Sequence, residues 1–261
     1  MEMQRYGRTE LYPRLPAGQT EMALSVLGPA AAPWGVLVLP GGGYGLTAAD
    51  REGFPVAQAF AEAGHAAAVL EYSVAPDRWP QALLETAAAI SLLRRRGAER
   101  VAVCGFSAGG HLAGCAANLW SHPVIGETLG LTPEEVRPDA SILCYPVITA
   151  KPPLGSTVSF GNLLGEGEPV PPELSLEDAV TGRTPPAFLW ATVTDGSVPV
   201  ENTLLYASTL RKEGVPFELH LYADGPHAMA LADERTLGRP EQQDPHVASW
   251  FPLCLEWLGR L

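Results

Sequence analysis

Val101-Ala-Val-Cys-Gly-Phe-Ser-Ala-Gly-Gly-His-Leu-Ala113 is the stretch on which the fold turns. Val101 to Cys104 is a short apolar run rich in β-branched residues, the signature of a buried strand and too short for a helix. Gly110 through Trp120 reads as a helix of small residues. Between them lies Gly105-Phe106-Ser107-Ala108-Gly109, a Gly-x-Ser-x-Gly pattern in the strand–turn–helix setting that gives it meaning. A serine at the apex of so sharp a turn occupies strained backbone, and its neighbours must be small because strand and helix nearly collide there. The hydroxyl then stands above the sheet with a helix N-terminus beneath it, a setting that favours developing negative charge. Ser107 is the candidate nucleophile.

Outward from this turn the chain alternates strands and helices. Glu21 to Leu27 and Gly35 to Leu39 read as strands, Pro55 to Ala63 as a helix, and His65 to Leu70 as a strand. A helix striped by Leu83, Ala87 and Ile90 closes at Arg94, Arg95 and Arg96. Strands follow at Ser141–Tyr145, Ala187–Val193 and Phe217–Tyr222, with a helix around Thr203–Lys212. A last helix carries Val247, Trp250, Cys254, Trp257, Leu258 and Leu261 at helical spacing, a core-facing stripe. That order predicts an α/β fold, a mostly parallel central sheet with helices on both faces, built as a single domain over 1–261. Residues 1–20 read as a surface arm. Residues 151–186, thick in proline and glycine, read as a reduced cap or lid, because a loop that long without elements is uncommon unless it works.

Composition narrows the function. The 261 residues are 46% hydrophobic and 18% charged, a globular balance. A net charge of −12 disfavours nucleic acid and anionic membrane surfaces as partners. The start of the chain lacks a signal-peptide pattern and no apolar run reaches spanning length, so a cytoplasmic location is expected. Cys104, Cys115, Cys144 and Cys254 fall in apolar segments without a Cys-x-x-Cys pair, which predicts buried free thiols and neither a metal site nor a disulfide frame.

A nucleophilic serine needs a base and an acid to orient it. Past the carboxyl ends of two strands stand Thr194-Asp195-Gly196-Ser197 and Asp224-Gly225-Pro226-His227, in the chain order Ser…Asp…His. His65, His111, His122, His220 and His246 sit in or beside regular elements and are weaker candidates. Order alone does not choose between Asp195 and Asp224. Pro40-Gly41-Gly42-Gly43-Tyr44, directly after a strand, looks like a loop that presents backbone N–H groups to an oxyanion.

Taken together, Pro-Gly-Gly-Gly-Tyr (40–44), Arg-Glu-Gly-Phe-Pro-Val-Ala (51–57), Glu-Tyr-Ser-Val-Ala-Pro (71–76), Gly-Phe-Ser-Ala-Gly-Gly-His-Leu-Ala (105–113), Cys-Tyr-Pro-Val-Ile-Thr (144–149), Asn-Leu-Leu-Gly (162–165), Asp-Gly-Ser-Val-Pro-Val-Glu-Asn (195–202) and Gly-Pro-His (225–227) resemble the small esterases of the α/β-hydrolase fold. The branch they resemble is the acetylxylan-esterase-like and hormone-sensitive-lipase-like one. Pro40, where the lipase-like motif has histidine, points to the acetylxylan-esterase-like side. The resemblance implies Ser107 as nucleophile, Asp195 as acid and His227 as base, with the N–H groups of Gly42, Gly43 and Ala108 as oxyanion hole. A physical argument also favours Asp195: Asp224 would have to fold back along one short loop to meet the ring.

The expected activity is cofactor-free, metal-free hydrolysis of a small-molecule ester with a short acyl group, an O-acetylated carbohydrate first. Tyr44, Phe106 and Met229 are expected to close the acyl pocket. Rival readings are an amidase or peptidase on the same fold and a non-catalytic ligand-binding protein on the same scaffold. Homo-oligomerisation is left open.

Overall fold

In the computed structural model, which describes residues 3–29, 31–236 and 238–261, eight strands form one sheet in the spatial order β1-β2-β4-β3-β5-β6-β7-β8. Their ranges are β1 Gln4–Gly7, β2 Ala23–Leu27, β3 Ala32–Leu39, β4 Ala66–Glu71, β5 Ala98–Phe106, β6 Ala140–Cys144, β7 Ala187–Thr192 and β8 Phe217–Tyr222. β1–β2 and β2–β4 pair antiparallel, and every pairing from β4 to β8 is parallel. This is the α/β-hydrolase fold, with its expected mostly parallel sheet.

The continuous apolar runs of β3, β5 and β6 are explained by burial on both faces. Alternate residues feed two cores. Leu37, Leu39, Val103 and Leu143 pack into one, with side chains of the helices Gln81–Arg95 and Ala108–Asn118. Val36, Val38, Cys104 and Ile142 pack into the other, under Val56 and Phe60 of the helix Phe54–Glu62 and under Trp250, Cys254 and Leu258 of the helix Trp250–Arg260. Trp250 stacks on Trp190 of β7 at 5.3 Å, and its indole N–H donates to Ala230 O at 2.9 Å. All four cysteines are buried free thiols. None of the described helices is long and apolar enough to cross a membrane.

Several elements differ from their expected bounds. The N-terminal residues are not a free arm: β1 adds an edge strand, and Leu11 and Leu15 are buried. Its polar composition hides this, because the partners come from afar: Arg8 pairs with buried Glu85, and Leu11 and Leu15 pack into the core. Met1 and Glu2 lie outside the described residues. The helix after Ser107 begins two residues early, at Ala108, and ends at Asn118. Within 151–186, where no element was expected, the helix Thr157–Leu164 forms, its N-terminus capped by Ser156 Oγ accepting from Ser159 N. Phe160 and Leu163 anchor it in the core. Asn162 Nδ2 donates to Gly43 O at 2.9 Å, which fixes this helix beside the glycine turn.

Candidate active site

The residues singled out above converge past the carboxyl ends of β3, β5, β7 and β8, where open α/β sheets place their ligands. Ser107 sits between β5 and the helix Ala108–Asn118 with φ 54° and ψ −118°, a conformation that costs about 1–3 kcal/mol for a residue with a Cβ. Sterics account for the small neighbours. A Cβ on Gly105 would collide with the carbonyl oxygen of Gly109, and one on Gly109 with those of Leu39 and Pro40. The strained turn is held from the end of β6 and the loop after it, since Ser107 N donates to Cys144 O at 3.0 Å and Val147 N to Ser107 O at 3.1 Å.

The side chains then line up. His227 Nδ1 lies 2.6 Å from Asp195 Oδ2, and His227 Nε2 lies 2.9 Å from Ser107 Oγ. A carboxylate can only accept, so Nδ1 carries the proton and Nε2 accepts from the serine hydroxyl. Asp195 is buried and fully engaged, its other oxygen accepting from Ser197 N at 2.8 Å and Val198 N at 3.0 Å. Asp224, on the strand end that leads to His227, is exposed and makes no bond to the ring.

The loop carrying His227 is braced on both sides. Gly225 exchanges hydrogen bonds with Thr192 and Thr194, and Gln242 Nε2 donates to the carbonyls of His227 and Ala228 at 3.0 and 2.9 Å. Ala228, Ala230 and Ala232 all adopt positive φ, strain that the bracing must offset.

Gly42 (φ 131°) and Gly43 (φ 61°) shape a turn next to the serine. A Cβ on the preceding Gly41 would sit 3.0 Å from Ser107 Cβ, so the approach is as close as backbone allows. Among the described residues, the N–H groups of Gly42, Gly43 and Ala108 have no turn, loop or cap acceptor.

Two residues that earn no role from sequence alone tie the site together. Glu52 is buried between the glycine turn and the helix Phe54–Glu62, and accepts from Gly41 N at 2.8 Å and from Tyr145 O–H at 2.9 Å. Burial pushes its carboxyl up, against the opposing pull of Tyr145, Arg51, Gly41 N–H and His227. Tyr145 in turn accepts from Ala230 N at 2.9 Å and sets its ring against the edge of His227 at 5.0 Å. Both lie inside stretches, 51–57 and 144–149, that stood out for resemblance; within Asp50-Arg51-Glu52 no local signal separates Glu52 from its charged neighbours.

The three residues expected to line the acyl pocket are all buried. Tyr44 is buried, with its hydroxyl 2.8 Å from His111 Nδ1. Phe106 lies in the core on the sheet's other face, against Tyr145 and Trp250, because strand alternation turns it away from its neighbour Ser107. Met229 is buried in that same core. Two apolar side chains beside the glycine turn, Leu46 and Val158, are 58% and 68% exposed. Leu46 flanks Gly42, and Val158 Cγ1 lies 3.8 Å from where a Cβ on Gly43 would be.

Three of the other histidines have structural partners. His111 is fully buried and bonds Leu174 O through Nε2, and burial lowers its pKa to about 4. His122 caps a helix and His220 faces Glu218. Among the described residues no cluster of three metal-ligating side chains occurs.

Comparison with known proteins adds to this geometry. Residues 36–231 match a family described as alpha/beta hydrolase fold. The chain is 33% identical over 217 residues to endo-1,4-beta-xylanase B of Butyrivibrio fibrisolvens, across 76% of this chain and 33% of that protein. It is 29% identical over 208 residues to an acetylxylan esterase of Xylanibacter ruminicola, across 75% of this chain and 41% of that protein. The chain thus spans well under half the length of these two relatives. The crystal structure of an acetyl ester-xyloside bifunctional hydrolase from Caldicellulosiruptor lactoaceticus superposes with a TM-score of 0.77 at 35% identity, covering 93% of this chain and 89% of that one.

Proposed function

The chain belongs to the alpha/beta hydrolase fold family, and from that premise we propose that it is a serine esterase of short-chain carboxylic esters, acetyl esters first, with O-acetylated carbohydrates as its natural substrates. The observation that carries this reading is the hydrogen-bonded line Ser107–His227–Asp195, at 2.9 and 2.6 Å, beside backbone N–H groups left without acceptors.

In the proposed cycle Ser107 Oγ attacks the ester carbonyl carbon while its proton passes to His227 Nε2. Asp195 keeps Nδ1 protonated and stabilises the imidazolium. The carbonyl oxygen, now negative, is received by the N–H groups of Ala108, Gly42 and Gly43. The carbon–oxygen bond to the alcohol then breaks, and the alcohol leaves with the proton from Nε2. Water, deprotonated by the same nitrogen, attacks the acyl-enzyme and releases the acid. Every proton and electron pair in this cycle belongs to ester, water or the three side chains, so the chemistry requires no cofactor.

The preference for acetyl is supported by the likeness to proteins named for acetylxylan and acetyl esters. The helix Thr157–Leu164, tied to Gly43, supports the proposal that 151–186 serves as a reduced cap whose Val158 forms part of the mouth. A burst of 4-nitrophenol from 4-nitrophenyl acetate, followed by slower steady turnover, is the expected kinetic signature of the acyl-enzyme. Absence of any turnover across acetate esters would remove the reading.

A further inference from the structure

On the His227 side of the site lies a cavity of about 450 Å³ whose lining includes His227, Arg51, Arg239, Thr194, Ser197 and Glu241. We infer that this cavity binds an anionic group, a carboxylate or a phosphate, carried on the alcohol portion of the substrate, with Arg51 and Arg239 as its ligands. The inference rests on the esterase reading for one step only. A histidine that protonates the departing alkoxide must face the alcohol, so a cavity against His227 faces the alcohol rather than the acyl group.

The charges in the cavity set its preference. The chain carries 29 acidic against 17 basic residues, yet two arginines line this cavity. Arg51 is half-buried, its Nε is shielded from solvent without a hydrogen-bond partner, and among the described residues it makes no ion pair. The neighbouring carboxylate of Glu52 is committed to Gly41 and Tyr145. Arg51 feels the Glu52 charge but makes no direct ion pair among the described residues, so an arriving anion offsets the cost of its partial desolvation. Arg51 Nη1 lies 2.8 Å from where a Cβ on Gly238 would be, which brings its guanidinium against the backbone next to Arg239. Arg239 faces Glu241 at 4.0 Å with both side chains mostly exposed, a loose pair that a better ligand displaces. The planar guanidinium fork matches the paired oxygens of carboxylate and phosphate, and the Ser197 hydroxyl at the rim adds a donor.

The test compares rigid alcohol portions that differ only in charge: 4-hydroxybenzoate, 4-hydroxyphenyl phosphate and neutral 4-hydroxybenzamide, each titrated calorimetrically into the full chain, and their acetate esters followed for kcat/KM. The expected result is at least one anion binding about tenfold to a hundredfold tighter than the amide, with the same order in kcat/KM. Arg51→Gln and Arg239→Gln should each erase most of that ratio, and Glu241→Gln should enlarge it. The benzoate and phosphate arms identify which anion is preferred. Equal binding of all three, or an anion preference that survives both arginine substitutions, overturns the inference. Arg239 is exposed, so its variant folds even if Arg51→Gln does not. Charge-dependent binding without hydrolysis of any acetate would leave the cavity's role standing and remove the esterase reading; hydrolysis without charge dependence does the reverse.

Discussion

Tyr145 donates its hydroxyl proton to Glu52 and takes the N–H of Ala230 on the same oxygen, so one buried phenol links the glycine turn to the loop that carries His227. Each partner satisfies a group the other leaves open. The link joins the two sides of the proposed reaction: the turn that receives the oxyanion and the ring that moves the proton.

Breaking this link should lower kcat far more than it raises KM. Glu52→Gln keeps the shape but turns an amide N–H₂ towards Gly41 N–H or Tyr145 O–H, leaving a buried donor unmet at a cost of about 1–3 kcal/mol. Tyr145→Phe removes the same connection from the other end. If Glu52 acts by positioning, the double variant should be no worse than the weaker single, because both cut one network. Additive losses in kcat, or unfolding without a selective kcat effect, would count against the positioning role.

Asp195→Asn should reduce kcat on the order of 10⁴-fold, by the precedent of triads whose histidine loses its orienting carboxylate, while Asp224→Asn should stay near the parent. Asp224 is exposed and does not reach the ring. Similar losses in the two variants would contradict the assignment of the acid.

Across acetate, butyrate, hexanoate and octanoate esters, kcat/KM should fall once the chain outgrows the space beside Leu46 and Val158, by roughly 10–200-fold per misfit methylene at the limit of a rigid pocket. A rise towards octanoate would point to an open acyl channel.

The hydrolase frame is legible in the sequence because its determinants are local. The elbow glycines, the alternating strands and the Asp195 and His227 loop ends are read from neighbours within a few residues. What is not legible depends on distant partners. β1 looks like a polar arm until Arg8 meets Glu85, 77 residues away. Tyr44, beside the glycine turn, is drawn inward by His111, and Phe106 by the pleat that sends it opposite to Ser107. Glu52 and Tyr145 meet across 93 residues, a separation no local pattern records.

His111 supplies a pH signature of stability. Its pKa falls from the ordinary 6.5 to about 4 by burial, so the unfolded chain binds the proton more readily than the folded one. The stability that neutral His111 contributes is therefore whole above pH 6.5 and lost as pH falls from there through about 4, at most about 3 kcal/mol. Glu52, shifted upward by burial, acts with the opposite sign on acidification. The two are separated by comparing urea unfolding of the parent and His111→Gln at pH 7 and pH 4.5. The gap between them should narrow in acid; a gap that widens would reverse the assignment.

The proposed cycle passes through a covalent acyl-enzyme on Ser107. Mixing the protein with excess 4-nitrophenyl acetate, quenching in acid within the burst and mapping the peptides by mass spectrometry tests it directly. One added acetyl group is expected on the peptide containing Ser107 and absent from Ser107→Ala, whose kcat should drop by about 10⁴–10⁶-fold. Acetyl on another residue, or turnover in Ser107→Ala equal to the parent, would contradict it.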